Sequence, residues 1–296
     1  MSLHIAGNIV THHAPAANNR GENEGNLTTL QKLLWKGSVH TTVSAEAIRW
    51  AIRYDWQQRG LDVRRRWDDD VEDYNEANNF DADAFIDDDL MGFMLAEGAK
   101  LEGNAAENKK GKGKSKGTIS KRRGVLEVCR AVSLEPFAGD ITFNARAGEK
   151  GSTSLYGTEV HATRYQYGFS MTPARMKDGS RAVEALKSIV SLGEVAGNHS
   201  RFLYDFAPAS VVFRVSSDPS PRILYCFDDK KGAGVGATSL VRAVSCGDIK
   251  PEELIVGGIL ADGADGKKLK ELGVQIFDGV KQAKEAVLKA IEAHNE

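Results

Sequence analysis

An apolar strand and an amphipathic helix, separated by a polar stretch, constrain this chain most. The strand runs from Leu3 to Thr11, sends Leu3, Ile5, Gly7 and Ile9 to one face, and stops at Ala14-Pro15, where proline cannot donate to a ladder. A polar loop holding Asn18-Asn19-Arg20 follows. Ser44 then offers an N-cap to a helix reaching about Gln57, with Ile48, Ile52 and Trp56 at helical spacing. Arg49 and Arg53 lie one turn apart on another face, so the pattern predicts a basic stripe beside the loop.

With 296 residues, 41% of them hydrophobic, the chain can bury a large core, as one elaborated domain or a domain with insertions. Lys and Arg number 39 against 41 Asp and Glu, a net charge of −2, so a nucleic-acid site has to be a local patch. Cys129, Cys226 and Cys246 are scattered and odd in number, which argues against a disulfide framework and for a reducing cytoplasm. No apolar run approaches membrane-spanning length, and no zinc-knuckle spacing occurs, so neither membrane nor metal is expected.

Residues 60–123 differ from both flanks. Arg64-Arg65-Arg66 precedes Asp68-Asp69-Asp70, and a second acidic cluster comprises Asp81, Asp83, Asp87, Asp88 and Asp89. Adjacent aspartates diverge in direction on any regular element, which disfavours a metal cage and predicts a solvated face. Glu102 to Thr118 alternates Lys with Gly and has almost nothing to bury, so a mobile basic loop is expected there.

Further on, Gly124 to Leu134 reads as a strand. The turn-rich segment from Glu135 to Tyr156 reads as a projecting hairpin, and His161 to Met171 as a strand with Tyr165, Tyr167 and Phe169 on one face, buried rather than stacking bases. Arg181 to Leu192 carries a helical apolar stripe, and Ala209 to Val215 is the next strand. Ile223 to Phe227 reads as a short strand, Leu254 to Leu260 as an apolar stretch, and Gly279 to Ala293 as a final helix. The order β-α-β-β-α-β is that of a ferredoxin-like α+β core, the arrangement of RNA-recognition domains, here with large insertions.

Enzyme fingerprints are sparse. Gly232, Gly234 and Gly236 miss the dinucleotide-binding spacing, and no P-loop, HExxH or GxSxG string is present. His12 or His13 with Arg20 offers one acid-base reading, a metal-independent endoribonuclease in which histidine deprotonates a ribose 2′-hydroxyl. Adjacent histidines on a strand face opposite ways, so at most one reaches a substrate. Asn198, His199, Ser200 and Arg201 form a loop suited to phosphate contacts or an ordinary turn.

Several strings occur in an ordered series: "NIVTHHAPAANNRGENEG" from Asn8, "DDDLMGFM" from Asp87, "AVSLEPF" from Ala131, "STSLYGTEVHATRYQYGF" from Ser152 and "AGNHSRFLYDFAPASVVFRV" from Ala196. Together they resemble the backbone subunit of type I CRISPR Cascade complexes, in its DevR autoregulator family. The resemblance implies a non-catalytic, cofactor-free protein that binds CRISPR guide RNA, assembles head-to-tail with copies of itself and with other Cascade subunits, and meets target DNA through the guide. It implies a palm from 1–59 and 124–296, a finger-like insertion at 60–123 and a thumb at about 134–160. The implied RNA-binding residues are Asn19, Arg20, Lys36, Ser44, Arg49, Arg53, Asn198, His199 and Arg201. Thr158 and Val160 occupy the thumb wedge, and Lys109, Lys110, Lys112 and Lys114 the loop expected at DNA. Related metal-dependent backbone subunits carry an Asp in the first loop, where this chain has Glu22 and Glu24. Shortening 103–116 should shift the melting temperature by no more than about 2 °C, because the segment buries so little; a drop several times larger would contradict the loop assignment.

Overall fold

The computed structural model describes residues 2–68, 71–75, 80–96, 119–145, 155–197, 202–230 and 234–295. Strand β1 (His4–Thr11) leads into five short strands, β2 (Ala14–Ala16), β3 (Arg20–Glu24), β4 (Leu27–Leu30), β5 (Lys32–Trp35) and β6 (Ser38–Val43), before helix α1 (Ala45–Gln58). The polar stretch expected as a loop is therefore built mostly of short strands. Its Lys36-Gly37 turn has φ of 50° and 82°, the left-handed pair of a type I′ two-residue hairpin.

In the insertion, β7 (Arg65–Asp68) pairs with β8 (Val71–Asn75), α2 (Ile86–Met91) follows, and β9 (Gly92–Ala96) pairs with β10 (Ile119–Arg123). The chain continues through β11 (Glu127–Val128), β12 (Ala131–Ser133), β13 (Asp140–Ala145), β14 (Leu155–Thr163), β15 (Tyr165–Met171), α3 (Arg181–Ile189) and β16 (Pro208–Ser216). The C-terminal part holds β17 (Asp228–Asp229), β18 (Val235–Gly236), α4 (Thr238–Ser245), β19 (Leu254–Gly258), α5 (Ala264–Glu271), β20 (Gln275–Phe277) and α6 (Val280–Asn295).

The principal sheet runs β20-β19-β16-β1-β15-β12-β6-β5, with β11 also paired to β15. At its centre β1 is antiparallel to both β15 and β16. Ile5 and Ile9 point into a cluster with Ile48, Ile52 and Trp56 of α1, Leu186 of α3 and Val287 of α6. Ala6 and Val10 point the other way, against Phe227, Leu240 of α4 and Leu269 of α5. Layers on both faces explain why β1 is buried almost throughout, where one-sided alternation was expected. Each large α1 side chain in this core contributes about 1.5–3 kcal/mol through burial. Gly7 is required by its register partner: a Cβ there would lie 2.2 Å from the Phe169 ring. Tyr165, Tyr167 and Phe169 are 0% exposed.

Some boundaries differ from expectation. The strand expected over Gly124 to Leu134 is two short ones, β11 and β12, and that over His161 to Met171 divides at Arg164 between β14 and β15. Ile223 to Phe227 is not a strand; Arg222 and Tyr225 take φ of 55° and 54°, which breaks an extended run.

The larger correction concerns the acidic cluster. Asp87 and Asp88 are 3% exposed and Asp89 is 0% exposed, so this part of it is no solvated face. Successive helical residues point about 100° apart, and each carboxylate meets its own partners. Asp87 accepts from Arg53 Nε of α1 at 3.2 Å and from the backbone N–H of Arg64 at 2.8 Å and Arg65 at 3.2 Å. Asp88 accepts from the Asp81 N–H at 2.8 Å and pairs with Arg64 at 3.4 Å, whose guanidinium lies 3.8 Å from the Phe80 ring centroid. Asp89 pairs with Arg122 of β10 and with Arg181 of α3 at 2.8 Å, and accepts from the Lys177 N–H at 3.0 Å. Gly92 closes the helix at φ 71°, where a Cβ would lie 2.4 Å from the Arg122 carbonyl oxygen.

Burial raises the Asp88 carboxyl above its ordinary value, opposed by its hydrogen bond from Asp81. The folded chain therefore holds that proton more tightly than the unfolded one. The associated stability is present in full below the ordinary carboxylate value of about 4 and is lost as pH rises through the folded-state value. At neutral pH, Asp89→Ala should cost about 3–5 kcal/mol in urea unfolding and Asp88→Asn clearly less; equal losses would contradict the assignment of distinct partners.

Candidate nucleic-acid interface

The expected RNA-facing residues divide into those that hold the fold and those that face solvent. Asn19 belongs to the first group: at φ 60° and 9% exposed, its N–H donates to Ala196 O at 3.0 Å and its Nδ2 to Thr42 O at 3.1 Å. Beside it, buried Asn18 donates to Val195 O at 2.5 Å. The asparagines thus tie the start of β3 to the segment after α3 and, through Asn19, to β6. Ser44 Oγ accepts from the Ala47 N–H at 3.1 Å, the N-cap that its sequence position predicts.

Arg49 and Arg53 form no basic stripe. Arg49 Nη2 donates to Met91 O at 2.6 Å, and Arg53 reaches Asp87 and Met91 Sδ, so both are directed at α2. Burial lowers the Arg49 pKa, with Glu46 opposing and Arg65 reinforcing the shift. Arg20, at the first position of β3, and Lys36, at the β5–β6 turn, are exposed. Asn198, His199 and Arg201, and Lys109, Lys110, Lys112 and Lys114, lie outside the described residues.

β13 and β14 form the expected hairpin, and β14 continues into a small sheet ordered β13-β14-β4-β3. Thr158 is 1% exposed, opposite Thr142 and beside Thr28, so it has no side chain to insert; this corrects its placement as a wedge. Val160 is half-buried opposite Asp140. The exposed apolar side chains of the hairpin are Phe143 at 80%, Leu155 at 62% and Ile141 at 43%. Glu159, between the two wedge residues, accepts from the Leu30 N–H at 2.7 Å and Lys32 Nζ at 2.5 Å, which fastens the hairpin root to β4 and β5.

His12 and His13 are exposed, and His13 Nε2 lies 3.9 Å from Glu135 Oε1. His161 is buried, hydrogen-bonded through Nδ1 to Thr41 Oγ1 at 2.8 Å, and burial lowers its pKa, with Glu135 opposing. Among the described residues no group of three or more His, Cys, Asp or Glu is placed to hold a metal ion, and no helix is long and apolar enough to cross a membrane.

No protein-family model matches the chain. The "CRISPR-associated protein Cas7/Cst2/DevR" of Myxococcus xanthus (strain DK1622) is 46% identical over an aligned span of 314 residues, covering 99% of each chain. A chain of a solved "CRISPR RNA-guided surveillance complex, pre-nicking" superposes with a TM-score of 0.61 at 13% identity, covering 97% of this chain and 99% of that one. A chain of a second solved "CRISPR RNA-guided surveillance complex" gives 0.60 at 16% identity with the same coverage. At such identities the structural likeness speaks for the fold. Identity of this order across almost the whole of both sequences speaks for descent, and the chain belongs to the Cas7/Cst2/DevR family of CRISPR-associated proteins.

Proposed function

We propose that the chain is a non-catalytic, guide-RNA-binding backbone subunit of a type I Cascade effector. The observation that carries this reading is the 46% identity over 99% of both chains to a Cas7/Cst2/DevR protein. Full-length likeness to chains of RNA-guided surveillance complexes supports it. The order β16-β1-β15-β12, with α1 following β1 and α3 preceding β16, supports a ferredoxin-like β-α-β-β-α-β core.

In this reading Arg20, Lys36 and the loop of Asn198, His199 and Arg201 contact guide phosphates, while Asn19, Ser44, Arg49 and Arg53 hold the surface that presents them. The β13–β14 hairpin is the thumb, with Phe143 and Leu155 the side chains available to RNA or to a neighbouring copy. Copies associate head-to-tail, a heterologous contact that grows an open filament whose length the RNA limits. Other Cascade subunits cap or line that filament in the cytoplasm. Target DNA is read by pairing to the guide, with Lys109, Lys110, Lys112 and Lys114 as backbone contacts.

Titration of single-stranded guide RNA across salt concentrations tests this surface. Arg20→Ala should lower the magnitude of the log-affinity versus log-salt slope by about 0.7 per lost phosphate contact. Arg49→Ala should lower the unfolding midpoint and leave the slope alone, because its guanidinium is bonded to Met91. An unchanged slope in Arg20→Ala would remove the first loop from the site. Labelled repeat RNA incubated with the protein in chelator should stay intact; specific cuts abolished by His12→Ala with His13→Ala would favour the endoribonuclease.

A further inference from the structure

At the far end of the principal sheet β12 and most of β6 are buried, and the edge strand β5 carries exposed side chains. There Trp35, opposite Ser38, meets Tyr225 with ring centroids 5.1 Å apart and planes tilted by 54°. Both residues are half-buried.

Tyr225 is held there against backbone preference. Its φ of 54° is uncommon for a bulky residue, and such strain persists only where the surroundings fix it. Its N–H donates to buried Asn8 Oδ1 at 3.0 Å, the neighbouring Phe227 N–H donates to buried Gln166 Oε1 at 3.3 Å, and Gln166 Nε2 returns a bond to Phe227 O at 3.2 Å. The phenol Oη donates to Arg130 O at 2.7 Å. Arg130 is in turn oriented by Gln31 Oε1 and Thr42 Oγ1, each 3.2 Å from its Nη1.

Exposed Lys36 adjoins Trp35, and exposed Arg130 adjoins Tyr225. The acid that bears on nearby Cys129 is Glu127, and its carboxylate is paired with Arg123 at 2.7 Å. Aromatic planes beside cations suit single-stranded nucleic acid, in which every base has a stacking face and every link a phosphate. Protein interfaces share the enrichment in Trp, Tyr and Arg but are depleted in lysine, so Lys36 beside the rings favours the nucleic acid.

We propose that Trp35 and Tyr225 form a stacking site for a base of single-stranded RNA, with Arg130 and Lys36 on the flanking phosphates. The proposal rests on the guide-RNA reading and deepens it, adding a base-stacking site beside Lys36, which that reading already places on a phosphate.

The test is affinity of the full-length chain for a short unstructured oligouridine, measured by fluorescence anisotropy across salt concentrations, with thermal melting of every variant. Trp35→Leu should weaken binding about tenfold with little change of salt slope, the size of one lost stack. Arg130→Gln should lower the slope magnitude by about 0.7, and Tyr225→Phe, which keeps the ring, should retain most of the affinity. If Trp35→Leu melts early, Arg130→Gln, a surface change, decides by its slope. Wild-type affinity and slope in properly folded Trp35→Leu and Arg130→Gln would overturn this inference alone. Loss of self-association at unchanged RNA affinity would overturn it too, by making the patch a protein interface. Failure of the wild-type chain to bind any single-stranded RNA would overturn the guide-RNA reading with it.

Discussion

A carboxylate in an apolar interior has to be paired, and here three of them stand in a row. Asp87, Asp88 and Asp89 sit on the short helix α2, and the turn of that helix sends each toward a different arginine. Arg53 belongs to α1, Arg64 lies just before β7, Arg122 belongs to β10 and Arg181 to α3. Desolvating such groups costs several kcal/mol per ion unless geometry and further hydrogen bonds compensate, so these contacts specify one docking of α2. The described part of the insertion is thereby fastened to α1 and α3, two of the helices that pack on the first face of the principal sheet.

Fixed elements in turn place the exposed ones. Asn19 joins β3, β6 and the segment at Ala196, and Glu159 joins the hairpin root to β4 and β5. Arg20, Lys36 and the paired strands β13 and β14 stand on these junctions. Such a division, with polar anchors inside and cations outside, suits a protein that has to follow a charged strand without being deformed by it.

Much of this was legible in the sequence, and the misreadings share a cause. The helix capped by Ser44, the first strand and the buried aromatics of β15 follow from spacing alone, since their burial repeats with the period of the element. The strands between Ala14 and Val43 are too short and too polar to show a period, and their only clear signal is the Lys36-Gly37 turn. A charge run is usually a solvated face, and nothing local to the acidic cluster marks it as an exception. The divergence of adjacent aspartates, which disfavours a metal cage, is what lets each find its own arginine. The contacts of Arg49 and Arg53 are hidden for the complementary reason: sequence shows where a helix face lies but not what covers it, and Asp87, which pairs with Arg53, lies more than thirty residues away. The Trp35–Tyr225 pair joins residues from distant parts of the chain, so no local pattern announces it.

Buried ion pairs lock α2 to the sheet layer, and native-state hydrogen exchange followed by mass spectrometry measures this directly. Peptides spanning 81–94 are expected to exchange on the slow timescale of those from β1, β15 and β16. Complete exchange of 81–94 while the central strands stay protected would contradict it.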